Sequence, residues 1–419
     1  MFTAGIGSIA GQAVSGVCLV WIVYADTGSA LDVAFLGTAF LVAAMLFSTL
    51  GGTLVDRYDR RRLMIAADVA RSLAMFAVVI VLGLGGFNLL VLVGAYAVVG
   101  AFTTLFNPAE QALVPSLVPL EDVADANGLV RSSRASVQFV GAAVAGVLIV
   151  TTGPVWGIAI NAVTFAVSAA LLTGMRIASP PIPLGPVPAR PSYFTDLRAG
   201  FAWLWRAQAF FQITISATFF NFCSNLIATF LVVYSTVLLH GSALVFAALL
   251  AAEVAGSAVG ALMVGRVGAV RYAGKAWVVP YGIVSGVVAL GLSLYPNAGL
   301  AVAILFALGV MAGFAGTAWL TAAQLVVPTE MQGRYFGIDS LGSIAILPVA
   351  QIGGAFLIGA FGVGTTYFAA AVLWVIAGAV FLAPRAMWRL GVTPGRVPAS
   401  RSDDGATGTH ESPGGSRVG

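Results

Sequence analysis

One dense cluster of charge interrupts a largely apolar chain: Gly51-Gly52-Thr53-Leu54-Val55-Asp56-Arg57-Tyr58-Asp59-Arg60-Arg61-Arg62-Leu63. Apolar runs of about 20 residues, the length that crosses a bilayer, precede and follow this cluster. The cluster is therefore predicted to be a short loop between two membrane spans. Its glycines let neighbouring helices approach closely, and its arginines can pair with carboxylates or with the C-termini of helices.

The composition of the whole chain indicates an all-α membrane protein. Of its 419 residues, 59% are hydrophobic and only 9% are charged, which gives a mean hydropathy of +0.99. At about 20 residues for each span, the chain has room for twelve transmembrane helices with short loops. The predicted spans are Phe2–Tyr24, Val33–Leu54, Met64–Leu84, Leu89–Leu113, Gly128–Val150, Val155–Met175, Phe210–Val233, Ala243–Val264, Trp277–Tyr295, Leu300–Val327, Tyr335–Ala360 and Thr365–Ala383.

These spans divide the chain into two halves. We predict one bundle of six helices in residues 1–176 and a second in residues 207–386. Residues 177–206 contain six prolines and are predicted to form a cytoplasmic linker, while residues 387–419 are predicted to form a disordered cytoplasmic tail.

The basic residues indicate the orientation of the chain in the membrane. If both termini are cytoplasmic, all 20 Lys and Arg residues fall in inner loops, in the tail or at inner helix ends. Because cytoplasmic loops are enriched in these residues, we expect a multi-pass protein of the cell membrane with both termini inside. This distribution accounts for the net charge of +4, so no nucleic-acid partner is expected.

An internal repeat supports the division into two halves. Gly28-Ser29-Ala30-Leu31 recurs 213 positions later as Gly241-Ser242-Ala243-Leu244, and Gly52 aligns with Gly265 at the same offset. Each pair lies at the same place in the order of six spans. The repeat predicts duplicated bundles that are related by an axis along the membrane normal.

Motifs for catalysis and for cofactors are not found in the sequence. The residues around Lys275 do not form a phosphate-binding loop, and His240 and His410 are far apart in the chain. We therefore expect no enzymatic activity, no cofactor and no metal site. Cys18 and Cys223 lie within apolar runs and are interpreted as small core residues.

The charged cluster resembles the loop between spans 2 and 3 of the major facilitator superfamily. Six residues match the pattern of that loop: Gly52, Leu54, Asp56, Arg57, Arg60 and Arg61. Asp59 departs from it, because the family usually has glycine there. The resemblance implies the major facilitator fold, with two six-helix bundles, and a gating role for this loop. On the alternative interpretation, the arginines only anchor the loop at the cytoplasmic surface.

Three further segments, Phe106–Pro115, Ala126–Gly128 and Gly333–Gly337, resemble the drug-efflux branch of this superfamily, which includes macrolide and siderophore exporters. The resemblance implies a monomeric secondary active transporter that exports a small lipophilic compound by alternating access, with proton entry as the driving force. The segment Gly141–Gly146 departs from the antiporter motif of the family. Uptake of a small solute, a different coupling ion and a non-transporting receptor on the same fold therefore stay open as alternatives.

Glu253 is the candidate coupling residue because it lies near the middle of the predicted eighth span. A charged side chain at this depth costs about 2.5 to 3.5 kcal/mol on insertion scales, so an acid there indicates a functional site. Gly256, Ser257 and Gly260 share its side of the helix, which predicts a packed face turned away from lipid. A protonated glutamic acid that only hydrogen-bonds a neighbouring helix is the alternative.

Two groups of polar residues complete the candidate sites. Ser8 and Gln12 of the first span correspond to Asn221 and Asn225 of the seventh at the offset of 213, and these four are predicted to face a substrate cavity. Hydrogen bonds between helices are the competing explanation. The second group is predicted to form latches near the inner face and consists of Asp68, Arg71, Arg131 and Arg134. Simple anchoring of the arginines at inner helix ends is the alternative for that group.

Overall fold

The computed structural model of the protein describes residues 2–57, 59–113, 123–174, 198, 201–202, 204–267, 275, 277–327 and 329–382. Within these ranges, nine helices are long and apolar enough to cross a membrane, and Val137–Thr151 and Tyr281–Leu294 are shorter apolar helices. The prediction of an all-α, multi-pass membrane protein is confirmed.

Each half of the chain contributes a series of helices. The first half contains α1 (Phe2–Thr27), α2 (Ala30–Arg57), α3 (Arg60–Gly83), α4 (Leu89–Leu113), α5 (Val123–Thr151) and α6 (Pro154–Gly174). The second half contains α7 (Gln208–Thr229), α8 (Leu231–Val237), α9 (Ala243–Val267), a π-helix (Trp277–Val284), α10 (Ser285–Leu294), α11 (Ala298–Val326), α12 (Thr329–Ala345) and α13 (Leu347–Leu382).

The longest helix, α13, contains the second part of the predicted eleventh span, which begins in α12, and the predicted twelfth span as far as Leu382. Its backbone leaves the helical region at Gly362, where φ is 81° and ψ is 161°. Only glycine adopts such angles readily, because it has no Cβ. Gly362 is therefore the turn between the eleventh and twelfth spans, which the sequence placed at residues 361–364.

The charged cluster is not the loop that the sequence predicted. Helix α2 continues through Arg57 and α3 begins at Arg60, so that only two residues separate the helices. Asp59 caps α3, since its side-chain oxygen accepts a hydrogen bond from the backbone N–H of Arg62 at 2.8 Å. Aspartate is a favoured N-cap residue, which gives a physical reason for Asp59 at a position where the family usually has glycine.

Three predicted spans of the second half are interrupted, and one of them, the eleventh at Tyr335–Ala360, is divided between α12 and α13. The seventh was predicted to run without a break from Phe210 to Val233, but α7 ends at Thr229 and α8 begins at Leu231, with Phe230 at φ −101° and ψ 19°. The first part of the ninth span is a π-helix that contains Pro280. A proline cannot donate the backbone hydrogen bond of a regular α-helix, and wider turns often occur at such interruptions.

Small residues bring the helices of each half into close contact. In the second half, a Cβ on Gly256 of α9 would overlap the carbonyl oxygen of Phe306 in α11. A Cβ on Gly309 of α11 would likewise overlap the carbonyl oxygen of Glu253 in α9. Backbone approach of this kind is the usual way in which membrane helices associate.

The first half contains an equivalent contact between α4 and α2. A Cβ on Gly100 would overlap the carbonyl oxygen of Phe40. At the offset of 213, Gly100 corresponds to Gly313 of α11, where a Cβ would overlap the carbonyl oxygen of Ser257 in α9. Ser257 lies one helical turn beyond Glu253, the residue that corresponds to Phe40, so the second and fourth spans of both halves approach closely at the same glycine but with a register that differs by one turn.

The predicted boundaries between halves, linker and tail stay predictions. Most of the linker at 177–206 and all of the tail at 387–419 lie outside the described residues, as do residues 175–176 and 383–386.

Candidate functional site

A cavity of about 520 Å³ lies between the two halves of the chain. We call it the central cavity. Residues of α1, α2, α4 and α5 line it from the first half, and residues of α7, α9 and α13 line it from the second. Its polar lining consists of Gln12, Tyr96, Thr103, Gln138, Thr229 and Gln351. The other described lining residues are aliphatic or aromatic residues and glycines, so the described wall carries no formal charge.

Three glutamines from three helices reach the central cavity: Gln12 of α1, Gln138 of α5 and Gln351 of α13. The Oε1 atom of Gln351 accepts a hydrogen bond from Thr38 Oγ1 of α2 at 3.0 Å. The side chains of Gln12 and Gln138 form no hydrogen bond with another described residue. Because a carboxamide both donates and accepts hydrogen bonds, these two side chains can bind a ligand that carries either type of group.

The four residues predicted to face a cavity have different surroundings. Gln12 lines the central cavity. Asn225 lies behind the wall, where its Oδ1 atom accepts a hydrogen bond from the lining residue Thr229 at 3.3 Å. Ser8 is only 3% exposed, and neither Ser8 nor Asn221 is among the described lining residues. Sequence reasoning missed Gln138 and Gln351, although each is an isolated amide in an apolar helix.

Contacts between the halves lie toward the end of the central cavity where Gly28 joins α1 to α2, which we call the Gly28 end. The ring of Trp21 in α1 stacks on that of Phe246 in α9, with 6.3 Å between their centroids. A second cavity, of about 640 Å³, lies at this end and is lined in part by Ala355. Ala355 is one helical turn after Gln351, so the Thr38–Gln351 hydrogen bond lies at the partition between the two cavities.

Among the five residues predicted to gate transport, Arg61 is the one whose side-chain contacts are described. Its Nε atom donates to the carbonyl oxygen of Leu172 at 2.6 Å, and its Nη2 atom donates to that of Thr173. Both carbonyls belong to the last turn of α6, where a cation is favoured by the partial negative charge of the helix C-terminus. Gly52 lies within α2, and the side chains of Asp56, Arg57 and Arg60 lie outside the described part of the structure.

Asp68 and Arg71 form a buried ion pair inside the first half. Arg71 Nη2 donates to Asp68 Oδ1, and Ser168 Oγ of α6 donates to Asp68 Oδ2 at 2.6 Å. The guanidinium carbon of Arg71 lies 4.5 Å from the ring centroid of Phe106 and 4.4 Å from that of Phe165. Asp68 is 0% exposed and Arg71 is 2% exposed, so the pair lies within the bundle. The side chains of Arg131 and Arg134 fall outside the described residues.

Glu253 faces a separate cavity within the second half, which we call the Glu253 cavity. It has a volume of about 20 Å³, and Ser224, Tyr281 and Trp374 are among its lining residues. The neighbouring residue Val254 lines the central cavity instead. Successive residues point in directions about 100° apart around a helix, so α9 presents different faces to the two cavities.

Asp339 of α12 is a second acid in the second half that sequence reasoning missed. Its Oδ1 atom accepts a hydrogen bond from Thr214 Oγ1 of α7 at 3.0 Å. A signal was present in the sequence, because Asp339 is an acidic residue within the predicted eleventh span. The hydrogen bond joins the first and fifth spans of this half.

Comparison with known proteins identifies the family. The family model described as Major Facilitator Superfamily matches residues 1–346. The chain belongs to the Major Facilitator Superfamily. It is therefore a membrane transporter of the major facilitator fold, as the charged cluster predicted.

Individual relatives agree with this assignment. The transporter is 30% identical to the "Multidrug efflux pump Tap" of Mycobacterium tuberculosis over 184 residues, which cover 42% of this chain and only 43% of that relative. It is 22% identical to the "Uncharacterized MFS-type transporter YvqJ" of Bacillus subtilis over 90% of each chain. These relatives support the resemblance to the drug-efflux branch.

The fold matches solved structures along almost the whole chain. A bacterial homologue of the human lysosomal transporter Spinster, crystallised in an inward-facing and unoccupied conformation, matches with a TM-score of 0.69 at 15% identity. The match covers 94% of this transporter and 98% of that chain. At this identity the likeness supports the fold alone.

Proposed function

We propose that this transporter exports a small lipophilic compound across the cell membrane by alternating access, with proton entry as the driving force. The observation that carries the proposal is the central cavity between the halves, with its mainly apolar wall and three glutamines. An apolar wall favours a lipophilic ligand, and the amides can orient its polar groups. Rocking of one half against the other would expose such a cavity to each side in turn.

The direction of transport is proposed from orientation and from relatives. With both termini cytoplasmic, the Gly28 end is the outer end, and the Trp21–Phe246 and Thr38–Gln351 contacts separate the central cavity from the outside. A compound would then enter from the cytoplasmic side. Export is also the activity named for the Tap relative, although the chain covers less than half of that protein.

The charged cluster is proposed to act as the gate at the cytoplasmic side. In this proposal Gly52, Asp56, Arg57, Arg60 and Arg61 control exchange between states and do not contact the compound. Arg61 already ties the start of α3 to the end of α6 through two carbonyl oxygens. This contact lies within the first half, so it can hold the start of α3 in place while the other members of the cluster change partners as the halves rock.

The remaining charges are assigned separate roles. Asp68 and Arg71 are proposed to brace the α3–α6 interface beneath the gate, because they bond each other and Ser168. Arg131 and Arg134 of α5 stay candidate partners for Asp56. Isolated arginines and acids near a gate are the usual members of interhelical latches.

Glu253 is proposed to couple proton movement to export. It lies within α9 and faces the interior of the second half. A carboxyl group at this depth is stable when protonated and costly when charged, so its charge can be linked to the change of state. We further propose that the transporter works as a monomer, with one proton site and one compound site in each chain.

Export can be tested in bacteria that lack their own efflux pumps. Cells that express the transporter should accumulate less of the exported compounds from a lipophilic panel, and a protonophore should abolish the difference. Gln138→Ala should change which compounds are exported, since it alters the wall of the central cavity. The matched control is Gln208→Ala, an exposed glutamine that does not line the cavity. The proposal would be contradicted if the expressing cells accumulated more of the compounds than control cells, or if export continued unchanged in the presence of the protonophore.

A further inference from the structure

The Glu253 cavity has room for one water molecule. Its volume is about 20 Å³, and a water molecule needs about 10 to 15 Å³ of such space. Residues of α7, α9, the π-helix, α11 and α13 enclose it, so it is internal to the second half. A water in a protein interior also requires two to four polar partners.

Trp374 supplies the first of these partners. Its side chain is 2% exposed, and its buried Nε1–H has no hydrogen-bond acceptor among the described residues. A buried donor without an acceptor is unfavourable and uncommon in folded proteins. The carboxyl group of Glu253 lines the same cavity but forms no direct hydrogen bond with a described residue. The indole therefore lacks an acceptor in the space that it shares with Glu253.

The chemistry of the wall favours water over a metal cation. An indole N–H is a donor only and is repelled by a cation. The other polar groups of the described wall are the hydroxyls of Tyr281 and Ser224. The described wall thus contains one carboxyl group and three neutral polar groups, whereas hard cations take six or more oxygen ligands.

We propose that the Glu253 cavity is a hydrated proton-binding site in which one water accepts a hydrogen bond from Trp374 Nε1–H and bridges it to the Glu253 carboxyl group. When the site releases its proton, the O–H bond of the carboxyl group breaks and the water becomes hydronium. The hydronium then passes a proton to water outside the Glu253 cavity and becomes a neutral water molecule again. Proton binding follows the same two transfers in the opposite order, and each transfer moves one proton and its charge from one oxygen to the next.

Among the titratable groups around this cavity, Glu253 is the one that can carry the proton. Tyr281 of the π-helix, which lines the cavity, and Tyr367 of α13 are titratable groups that interact electrostatically with Glu253, and Cys223 of α7 lies beside Ser224 in the chain. From α11 the wall receives Leu305, Leu308 and Ala312, which do not titrate. Phenols and buried thiols hold their protons more firmly than a carboxyl group.

One residue separates the proton site from the central cavity. Ala228 of α7 lines both cavities, and it lies next to the break between Thr229 and Leu231. A small movement of α8 against α7 would therefore open a path between the cavities. Proton and exported compound then occupy separate sites that share a wall. This last step rests on the proposed coupling role of Glu253, whereas the hydration of the cavity does not.

Infrared difference spectroscopy on the full chain in lipid, between acidic and alkaline pH, tests the proposal. Wild type should show the C=O band of a protonated carboxyl group and a water O–H band that shifts in H₂¹⁸O. Glu253→Gln should remove both bands. Trp374→Phe should remove the water band and keep the carboxyl band at a shifted frequency. Trp156→Phe, at a residue that is 61% exposed, should change neither band.

Each outcome decides the proposal. It is overturned if no ¹⁸O-sensitive band accompanies the Glu253 band, or if that water band survives in Trp374→Phe. If Trp374→Phe does not fold, the Glu253→Gln variant decides, because a surviving water band there also overturns it. Proton-driven export is measured separately in proteoliposomes. If Glu253→Gln loses export but wild type shows no water band, the coupling role is supported and hydration is rejected. If wild type shows the water band but Glu253→Gln keeps proton-driven export, only the coupling role is rejected.

Discussion

The buried ion pair between Asp68 and Arg71 gives the most quantitative prediction for this transporter. Asp68→Asn removes the negative charge but keeps the size of the side chain, so that the guanidinium of Arg71 stays buried without a counter-ion. Removal of one partner from a buried pair costs about 3 to 5 kcal/mol. We expect about 3 kcal/mol, at the lower end, because the asparagine oxygen can still accept one hydrogen bond from Arg71 or Ser168.

Two further variants separate charge from packing. The rings of Phe106 and Phe165 lie beside Arg71 in wild type and in the variant, so their attraction to the cation does not offset the loss. Ser168→Ala deletes one hydrogen bond to a carboxylate and should cost about 1.5 kcal/mol. The double variant Asp68→Asn with Arg71→Met should recover most of the stability, because apolar replacements of buried pairs are often neutral or stabilising.

Unfolding in mixed micelles with increasing dodecyl sulfate measures these free energies. The control is Asp26→Asn, an exposed aspartate, which should change the free energy of unfolding by less than about 0.5 kcal/mol. The reasoning is refuted if Asp68→Asn costs no more than this control. It is also refuted if the double variant is less stable than Asp68→Asn alone.

Three further predictions concern topology, gating and coupling. Cysteines placed at Asp59 or beside Lys275 in a cysteine-free background should not react with an impermeant thiol reagent added outside intact cells. Labelling from outside would show that the chain has the opposite orientation. Asp56→Asn and Arg60→Ala should slow transport and leave compound binding largely intact, since the cluster is proposed to control state exchange; equal loss of both would indicate a folding role. Glu253→Gln should lose proton-driven concentration of the compound but retain exchange of compound across the membrane, and unchanged accumulation with the same pH dependence would make Glu253 a structural residue.

The sequence by itself indicated which segments are long and apolar enough to cross a membrane. The span predicted at Leu89–Leu113 has the same bounds as α4, and Glu253 was located within its helix before any contact was known. These results are local, because the length and polarity of a segment decide whether it can span a bilayer. The charged cluster likewise identified the family, since its residues are adjacent in the chain.

Only the tertiary structure decided which faces of these helices meet. The break at Phe230 and the cavity that Glu253 shares with Trp374 depend on helices that are distant in sequence. The same holds for Gln138 and Gln351, whose convergence with Gln12 requires α1, α5 and α13 to pack around one space. A lone polar residue in an apolar helix gives no information about its partner, because that partner is fixed by small-residue contacts between whole helices.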